Sequence, residues 1–290
     1  MKTIGIFYQG RKQVTSEFAA KLAPSLQKRG YDIHIVDLLN KGQECDEEQI
    51  QDVDLALVLG GDGTIVHAAR LCARNSTPIV GIDFGRVGFL TELEPDEIST
   101  QLDYYLNGDS SVWVDERAML VAALEQDGQR EEFIALNEIV IARGTWPRGV
   151  QIRVWVDEYY YNTEYADGMI ISTATGSTAY NMAVGGPLLH PHVQSCVLTP
   201  IAPHLAFDRS LILPPEARIK LQIFPGSQQG VFSADGQTNR EIKDGAIITV
   251  QKSKFVTRFL RRRPPTYFYQ IINEKLKNDS SATSENRHAT

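Results

Sequence analysis

Five apolar residues in unbroken succession, Leu55-Ala56-Leu57-Val58-Leu59, end abruptly at Gly60-Gly61-Asp62-Gly63-Thr64, and beyond them Ile65, Ala68, Ala69 and Cys72 recur at helical spacing. A run so short and so uniformly apolar is a strand buried on both faces, the situation of a parallel sheet covered by helices. The same grammar extends through the first hundred residues. Strands are expected at 3–8, 31–37, 55–59 and 78–83, and helices at about 15–29, 64–74 and 95–107. Such alternation means βαβ units, so residues 1–112 read as an α/β domain with a Rossmann-like parallel sheet, whose ligands belong at the carboxyl ends of the strands.

From about residue 113 the pattern changes to period-2 runs joined by short turns, as in Gln151-Ile152-Arg153-Val154-Trp155-Val156, then Asp157-Glu158, then Tyr159-Tyr160-Tyr161. That is antiparallel sheet. Further strands are expected at 117–125, 131–143, 168–172, 195–201, 217–224, 230–234 and 246–251, with one helix running from near Gly176 to Ala183. Residues 113–262 therefore read as a mostly-β, sandwich-like domain. Two domains suit a length of 290 residues. Apolar spacing at 267–277 predicts a terminal helix that completes the first domain, and the polar tail 278–290 reads as disordered.

The Gly60–Thr64 turn is suited to anions. The first amides of a helix lack intrahelical partners and carry the positive end of its dipole, so phosphate oxygens can satisfy them. Gly60, Gly61 and Gly63 permit close backbone approach and any positive φ the loop requires, and Thr64 is expected as the N-cap. Asp62 is the anomaly in this setting. A carboxylate beside phosphate is repelled unless it binds a metal, meets a substrate hydroxyl or accepts a proton; otherwise it makes only an Asx-turn. A second glycine-bearing stretch, Gly81 to Leu90, follows the next strand and forms either the other lip of the cleft or a plain loop.

The net charge of −7 argues against nucleic-acid or anionic-membrane partners. No run is long enough to span a bilayer and no apolar signal segment follows Met1, so a cytoplasmic location is expected. Cys45, Cys72 and Cys196 are far apart and read as reduced thiols; His190 and His192, beside Pro191, lack a third ligand for a metal.

The segment from Asp167 to Tyr180 repeats the design of the first motif: an apolar strand, a glycine turn rich in hydroxyls, then a helix. Ser172, Thr173, Thr175, Ser177 and Thr178 can bond phosphate or ribose without adding charge, and Tyr180 offers a face for a base. Gly176-Ser177-Thr178-Ala179-Tyr180 lacks the second glycine of a nucleophile elbow, which argues against a serine hydrolase.

The two motifs, in this order and separation, resemble those of the NAD kinase family. Also similar are Gly88-Phe89-Leu90-Thr91, Asn137-Glu138, Gly185-Gly186-Pro187, Thr199-Pro200 with Pro203-His204, and Asp235-Gly236-Gln237, so that the likeness runs in order through residues 3–260. Gly-Gly-Asp-Gly alone also resembles lipid kinases and phosphofructokinases; the second motif and the Asn-Glu pair separate this chain from them. The resemblance implies transfer of a phosphoryl group from ATP to the 2′-hydroxyl of the adenosine ribose of NAD. It assigns Asp62 as the catalytic residue that receives the hydroxyl proton, and Gly60, Gly61, Gly63 and Thr64 as holders of the ATP phosphates. It implies NAD contacts from Asp62, Gly63, His67, Asn137, Glu138, Arg148, Asp167, Gln237 and the run Thr178, Ala179, Tyr180, Asn181, Met182, Ala183. Asp167 is often donated by a neighbouring subunit in this family, which implies a homodimer or homotetramer.

Three positions depart from the family pattern: Ala174 stands where proline is usual, Tyr165 where some members carry a basic residue, and Ser210 where proline is common. Mg²⁺ is the expected divalent ion, held by nucleotide and water, since no protein cage is legible. The other readings are a non-catalytic NAD or NADP sensor that keeps the fold, and a lipid or sugar kinase.

Overall fold

The computed structural model describes residues 2–38, 50–85, 88–144, 149–204, 209–224 and 230–274. Arg148, Cys45, the end of the expected terminal helix and the tail 278–290 lie outside them. The chain divides into two compact units, Met1–Asp115 with Arg258–Thr290, and Glu116–Thr257.

The first unit is α/β. Its elements are β1 (Thr3–Tyr8), α1 (Gln13–Lys28), β2 (Asp32–Asp37), β3 (Leu55–Gly60), α2 (Asp62–Asn75), β4 (Ile79–Asp83) and α3 (Ile98–Asn107). The strands lie in the order β2-β1-β3-β4, all parallel. Every residue of β3 is buried, as its unbroken apolar run requires: Leu57 and Leu59 join Ile4, Ile6, Val80 and Ile82 in a core closed by Ala19, Ala23 and Leu26 of α1 and Leu102 and Leu106 of α3. Each such Leu or Ile contributes roughly 1.5–3 kcal/mol. Gly108, at φ +64°, stops α3 in the left-handed conformation that glycine tolerates. The chain passes from β2 back across β1 to β3, so the reversal of strand order falls between β1 and β3, where Tyr8 pairs with Leu59. Ligands of open α/β sheets bind beyond such a point.

Two strands, β5 (Trp113–Gln126) and β16 (Ile247–Arg261), have residues in both units. The rest of the second unit is β6 (Gln129–Ala135), β7 (Glu138–Arg143), β8 (Val150–Val156), β9 (Tyr159–Ala166), β10 (Gly168–Ser172), α4 (Tyr180–Ala183), β11 (Cys196–Ile201), β12 (Leu211–Leu213), β13 (Ile219–Ile223), β14 (Gly230–Ala234) and β15 (Thr238–Ile242). One antiparallel sheet has the order β12-β11-β10-β7-β14-β15. The antiparallel pairings β16-β13-β8-β9 and β5-β6 supply a second layer. Ile139, Ile141, Ile171, Leu198 and Phe232 of the first layer share one core with Ile152, Val154, Leu221 and Ile248 of the second, which is how two sheets with alternating patterns remove their apolar faces from water.

Four expectations need correction. The single strand expected at 131–143 is two, β6 and β7, interrupted at Leu136 and Asn137. Strand β16 runs to Arg261 rather than ending at 251, because its later residues alternate burial despite their charge. The strands β12 and β15 were not expected; β15, Thr-Asn-Arg-Glu-Ile, is exposed along most of its length and carries no apolar signal. The helix expected from Gly176 is a 3₁₀ turn, Gly176–Thr178, followed by the single helical turn α4, with Ala179 between them at φ −101°, ψ −127°. Helical backbone does occupy 267–274.

Candidate active site

Asp62 is the first residue of α2, and Gly61, in extended conformation, is its N-cap. Thr64 is therefore not the cap. Its N–H donates to the Gly61 carbonyl at 2.9 Å, and its buried side chain occupies the place where a Cβ on Gly60 would stand. Gly60 is thus demanded by Thr64. By contrast, a Cβ on Gly61 or Gly63 would meet no protein atom within 4 Å. Neither has positive φ, so the protein itself does not demand glycine there. What these two glycines provide is free space beside the start of a helix, whose positive dipole end favours an anion such as phosphate.

The Asp62 carboxylate is fixed from the opposite side. Its Oδ2 accepts the N–H of Phe89 at 2.9 Å and its Oδ1 that of Leu90 at 3.0 Å. A Cβ on Gly88 would overlap Oδ1, so glycine at 88 is the condition for this arrangement. Each oxygen keeps a further lone pair, and the carboxylate can still accept a proton-bearing hydroxyl in a set orientation. The second glycine-bearing stretch is consequently the clamp on Asp62, a role no residue within it advertises. Beside it, Gly60 pairs with Asp83 at the end of β4, and the Gly85 N–H donates to Asp83 Oδ1 at 2.8 Å.

In the second unit the Asp235 carboxylate accepts three successive amides, those of Leu136 and Asn137 at 2.8 Å each and of Glu138 at 3.1 Å. These bonds occupy the break between β6 and β7 and hold the Asn137-Glu138 pair. The Asn137 carbonyl accepts the Thr173 N–H at 2.9 Å, and Thr173 Oγ1 donates to the Leu136 carbonyl at 2.6 Å, which ties the pair to the hydroxyl turn. A Cβ on Gly176 would overlap the Asn137 carbonyl. Glu138 is buried, its Oε2 has no hydrogen-bond partner among the described residues, and its carboxyl is pushed up to about 8 by burial first and the nearby Asp235 charge second, against a bond from the Tyr180 N–H.

Most of the hydroxyls in the turn face inward. Ser172, Thr173 and Ser177 are buried and donate to backbone carbonyls, and Ser177 Oγ also accepts the Leu189 N–H at 2.9 Å. Thr178 is half-buried and donates to the Thr175 carbonyl at 3.1 Å. Ser172, Thr173 and Ser177 therefore build the turn instead of greeting a ligand, while Tyr180, Met182 and Ala183 present themselves at the surface. Asn181 is fully buried: its Nδ2 donates to the Pro187 carbonyl at 3.0 Å and its Oδ1 accepts from Thr199 at 2.8 Å.

His67 is buried on α2, not on a solvent face, because that helix is buried along nearly all of Thr64–Ala73. Asp167 is about one-third exposed and pairs with Arg143 at 2.9 Å. Gln237 follows the turn Asp235-Gly236, both at positive φ, that joins β14 to β15. His190 and His192 stack edge to face at 4.9 Å, and among the described residues no group of three or more His, Cys, Asp or Glu could hold a metal. Cys72 and Cys196 are buried and in no disulfide among the described residues, and burial pushes the Cys196 thiol up to about 11. Among the described residues no helix is long and apolar enough to cross a membrane.

Residues 4–110 match the ATP-NAD kinase N-terminal domain and residues 136–262 the ATP-NAD kinase C-terminal domain. The NAD kinase of Moorella thermoacetica is 34% identical over 294 residues, covering 100% of this chain and 94% of that one. An NAD kinase of Dehalococcoides mccartyi is 35% identical over 285 residues, with 97% and 98% covered. The fold is shared with yeast NADH kinase complexed with NADH (TM-score 0.83, 22% identity, 96% of this chain and 88% of that one). It is also shared with the NAD kinase from Archaeoglobus fulgidus in complex with ATP (TM-score 0.75, 24% identity, 93% and 97%).

Proposed function

The chain belongs to the ATP-NAD kinase family, and we propose that it transfers the γ-phosphoryl of ATP to the 2′-hydroxyl of the adenosine ribose of NAD, with Asp62 as the residue that receives that hydroxyl. It is a phosphotransferase with an alcohol acceptor. The observation that carries the assignment of Asp62 is its double tether to the amides of Phe89 and Leu90. Such a carboxylate loses little orientational freedom when a hydroxyl arrives, and a fixed acceptor aligned for attack is the main thing phosphoryl transfer asks of a protein.

ATP phosphates are held at the start of α2, where Gly61 and Gly63 leave space for close approach, together with Gly60 and Thr64. NAD is held by Asp62, Gly63, Asn137, Glu138, Asp167, Gln237 and the segment Thr178–Ala183, within which Asn181 acts through the shape it gives the turn. His67, being buried, acts on the packing of α2, and Arg148 is the basic residue for the pyrophosphate. A divalent ion, Mg²⁺, bound with the nucleotide would supply neutralisation of the charge on the transferring group. The active form is a cytoplasmic homo-oligomer in which Asp167 serves a neighbouring copy.

The test is direct. Purified protein with ATP, Mg²⁺ and NAD is expected to form NADP, read with an NADP-specific dehydrogenase, and inorganic polyphosphate in a parallel arm defines the donor. Absence of NADP with every phosphoryl donor, in protein that still binds NAD, would leave the sensor reading standing instead.

A further inference from the structure

Arg261, the last residue of β16, is 6% exposed. Its Nη1 donates to the carbonyls of Leu90 at 3.0 Å and Thr91 at 2.9 Å and to Glu92 Oε2 at 3.2 Å, so two hydrogens are shared among three acceptors. Its Nε lies 3.5 Å from the buried Asp115 carboxylate. Glu92 is held in turn, its Oε1 accepting from Tyr105 Oη at 2.9 Å and from the backbone N–H of Arg262 at 2.8 Å. The Glu92 N–H donates to the Gly81 carbonyl at 2.8 Å.

The segment 89–92 is thereby gripped from two sides. Its amides at Phe89 and Leu90 hold the Asp62 carboxylate, and its carbonyls at Leu90 and Thr91 are held by the Arg261 guanidinium. Leu90 is common to both sets. Leu90 and Thr91 are buried, so their carbonyls have no water to fall back on once the guanidinium leaves, and a buried acceptor without a donor is costly. The close approach is built in: a Cβ on Gly81 would come within 3.1 Å of the Leu90 carbonyl and 3.2 Å of Thr91 Cα.

We propose that Arg261 is a positioning residue for phosphoryl transfer, fixing through the Leu90 and Thr91 carbonyls the two amides that aim the Asp62 carboxylate. The proposal rests on the reading of Asp62 given above. Arg261 touches no substrate; it sets where a catalytic oxygen stands, and a displacement of about 1 Å at such an atom costs on the order of 100-fold in rate.

Arg261→Lys is the informative variant. It keeps a cation between Glu92 and Asp115, so no buried carboxylate is stranded, yet a single ammonium cannot reproduce the fork that reaches Leu90, Thr91 and Asp115 together. Expected are a fall in kcat of roughly 10- to 100-fold and KM values for ATP and NAD within about threefold of the parent. Amide hydrogen exchange at Phe89 and Leu90 is expected to accelerate at least ~10-fold. In an Asp62→Asn background the same change is expected to cost almost nothing further, because both act on one group. Parental exchange at both amides, a kcat loss that multiplies with that of Asp62→Asn, or a change confined to KM would each overturn the proposal. If Asp62→Asn itself keeps full turnover, the reading of Asp62 fails; the exchange rates then show separately whether Arg261 grips the segment, and the catalytic role falls. Should Arg261→Lys not fold, Arg261→Gln with Asp115→Asn removes one buried charge of each sign and is read in the same way.

Discussion

The two oxygens of Asp62 leave almost no tolerance at Gly88. A methyl group there overlaps Oδ1, so Gly88→Ala is expected to lower kcat by about 100-fold or more while the protein stays folded. Gly63→Ala is the contrast, since its added methyl meets no protein atom. Stability should hold or rise by up to ~1 kcal/mol, alanine being the better helix former, and its cost should appear as a higher KM for ATP. Steady-state kinetics beside thermal melts separate the two outcomes. The carboxyl of Glu138 makes a second residue-scale prediction. Its folded value is raised to about 8 from an ordinary 4.5, so the native state holds a proton that the unfolded chain has released. This contribution is fully present below pH 4.5 and is lost as pH rises toward 8, at no more than about 1.4 kcal/mol per pH unit. Glu138→Gln should flatten that slope in denaturant titrations run from pH 5 to 8; an unchanged slope would mean that the carboxyl is ionised in the fold. At this scale the sequence announces Asp62 but not its tether. A backbone amide has no letter of its own, and the residues that hold Asp62 lie 27 and 28 positions away.

Elements were legible wherever one periodicity dominated. The apolar run of β3 and the alternation of β8 and β13 follow from burial on two faces and on one face respectively. Legibility failed where a side chain from a distant element decides the backbone. The interruption of 131–143 is created by Asp235, about a hundred residues away, which takes up three amides that a continuing strand would have paired. Residues 136–138 by themselves give no turn signal. Asp235 can do this because it sits at φ +54° in the β14–β15 turn, a conformation that Asp and Gly tolerate. Asp235→Ala should therefore destabilise the second unit by at least about 3 kcal/mol, given 1.5–3 kcal/mol for a typical bond to a charged acceptor, and should raise KM for NAD more than it lowers kcat. Chemical denaturation with paired kinetics is the check; a loss below 1 kcal/mol would mean that water replaces the carboxylate at those amides. The short α4 has a similar origin. Buried Ser177 and Asn181 bind the 185–189 loop instead of extending a helix.

For the whole molecule, the sequence carries a change of pattern near residue 113 as a switch of period. The assembly is not written there, and Asp167 is where it becomes testable. Its carboxylate is about one-third exposed and lies 2.9 Å from Arg143 of its own chain. At that exposure the ion pair is worth little in stability, but it leaves the carboxylate pre-oriented and partly neutralised, ready to accept a hydroxyl from a ligand. With a chain charge of −7, a further bare carboxylate near an anionic dinucleotide would repel it, so pairing with Arg143 would suit Asp167 to the proposed contact with NAD. If Asp167 serves NAD bound to a neighbouring copy, dissociation removes one charge-assisted hydrogen bond of about 1.5 kcal/mol, or roughly tenfold in affinity. KM for NAD should then rise about tenfold as the protein is diluted through its assembly midpoint, followed by sedimentation at the same concentrations. The Asp167→Asn variant, already lacking the charge, should show a much smaller rise. A KM for NAD that stays constant while sedimentation records dissociation would assign Asp167 to its own chain alone.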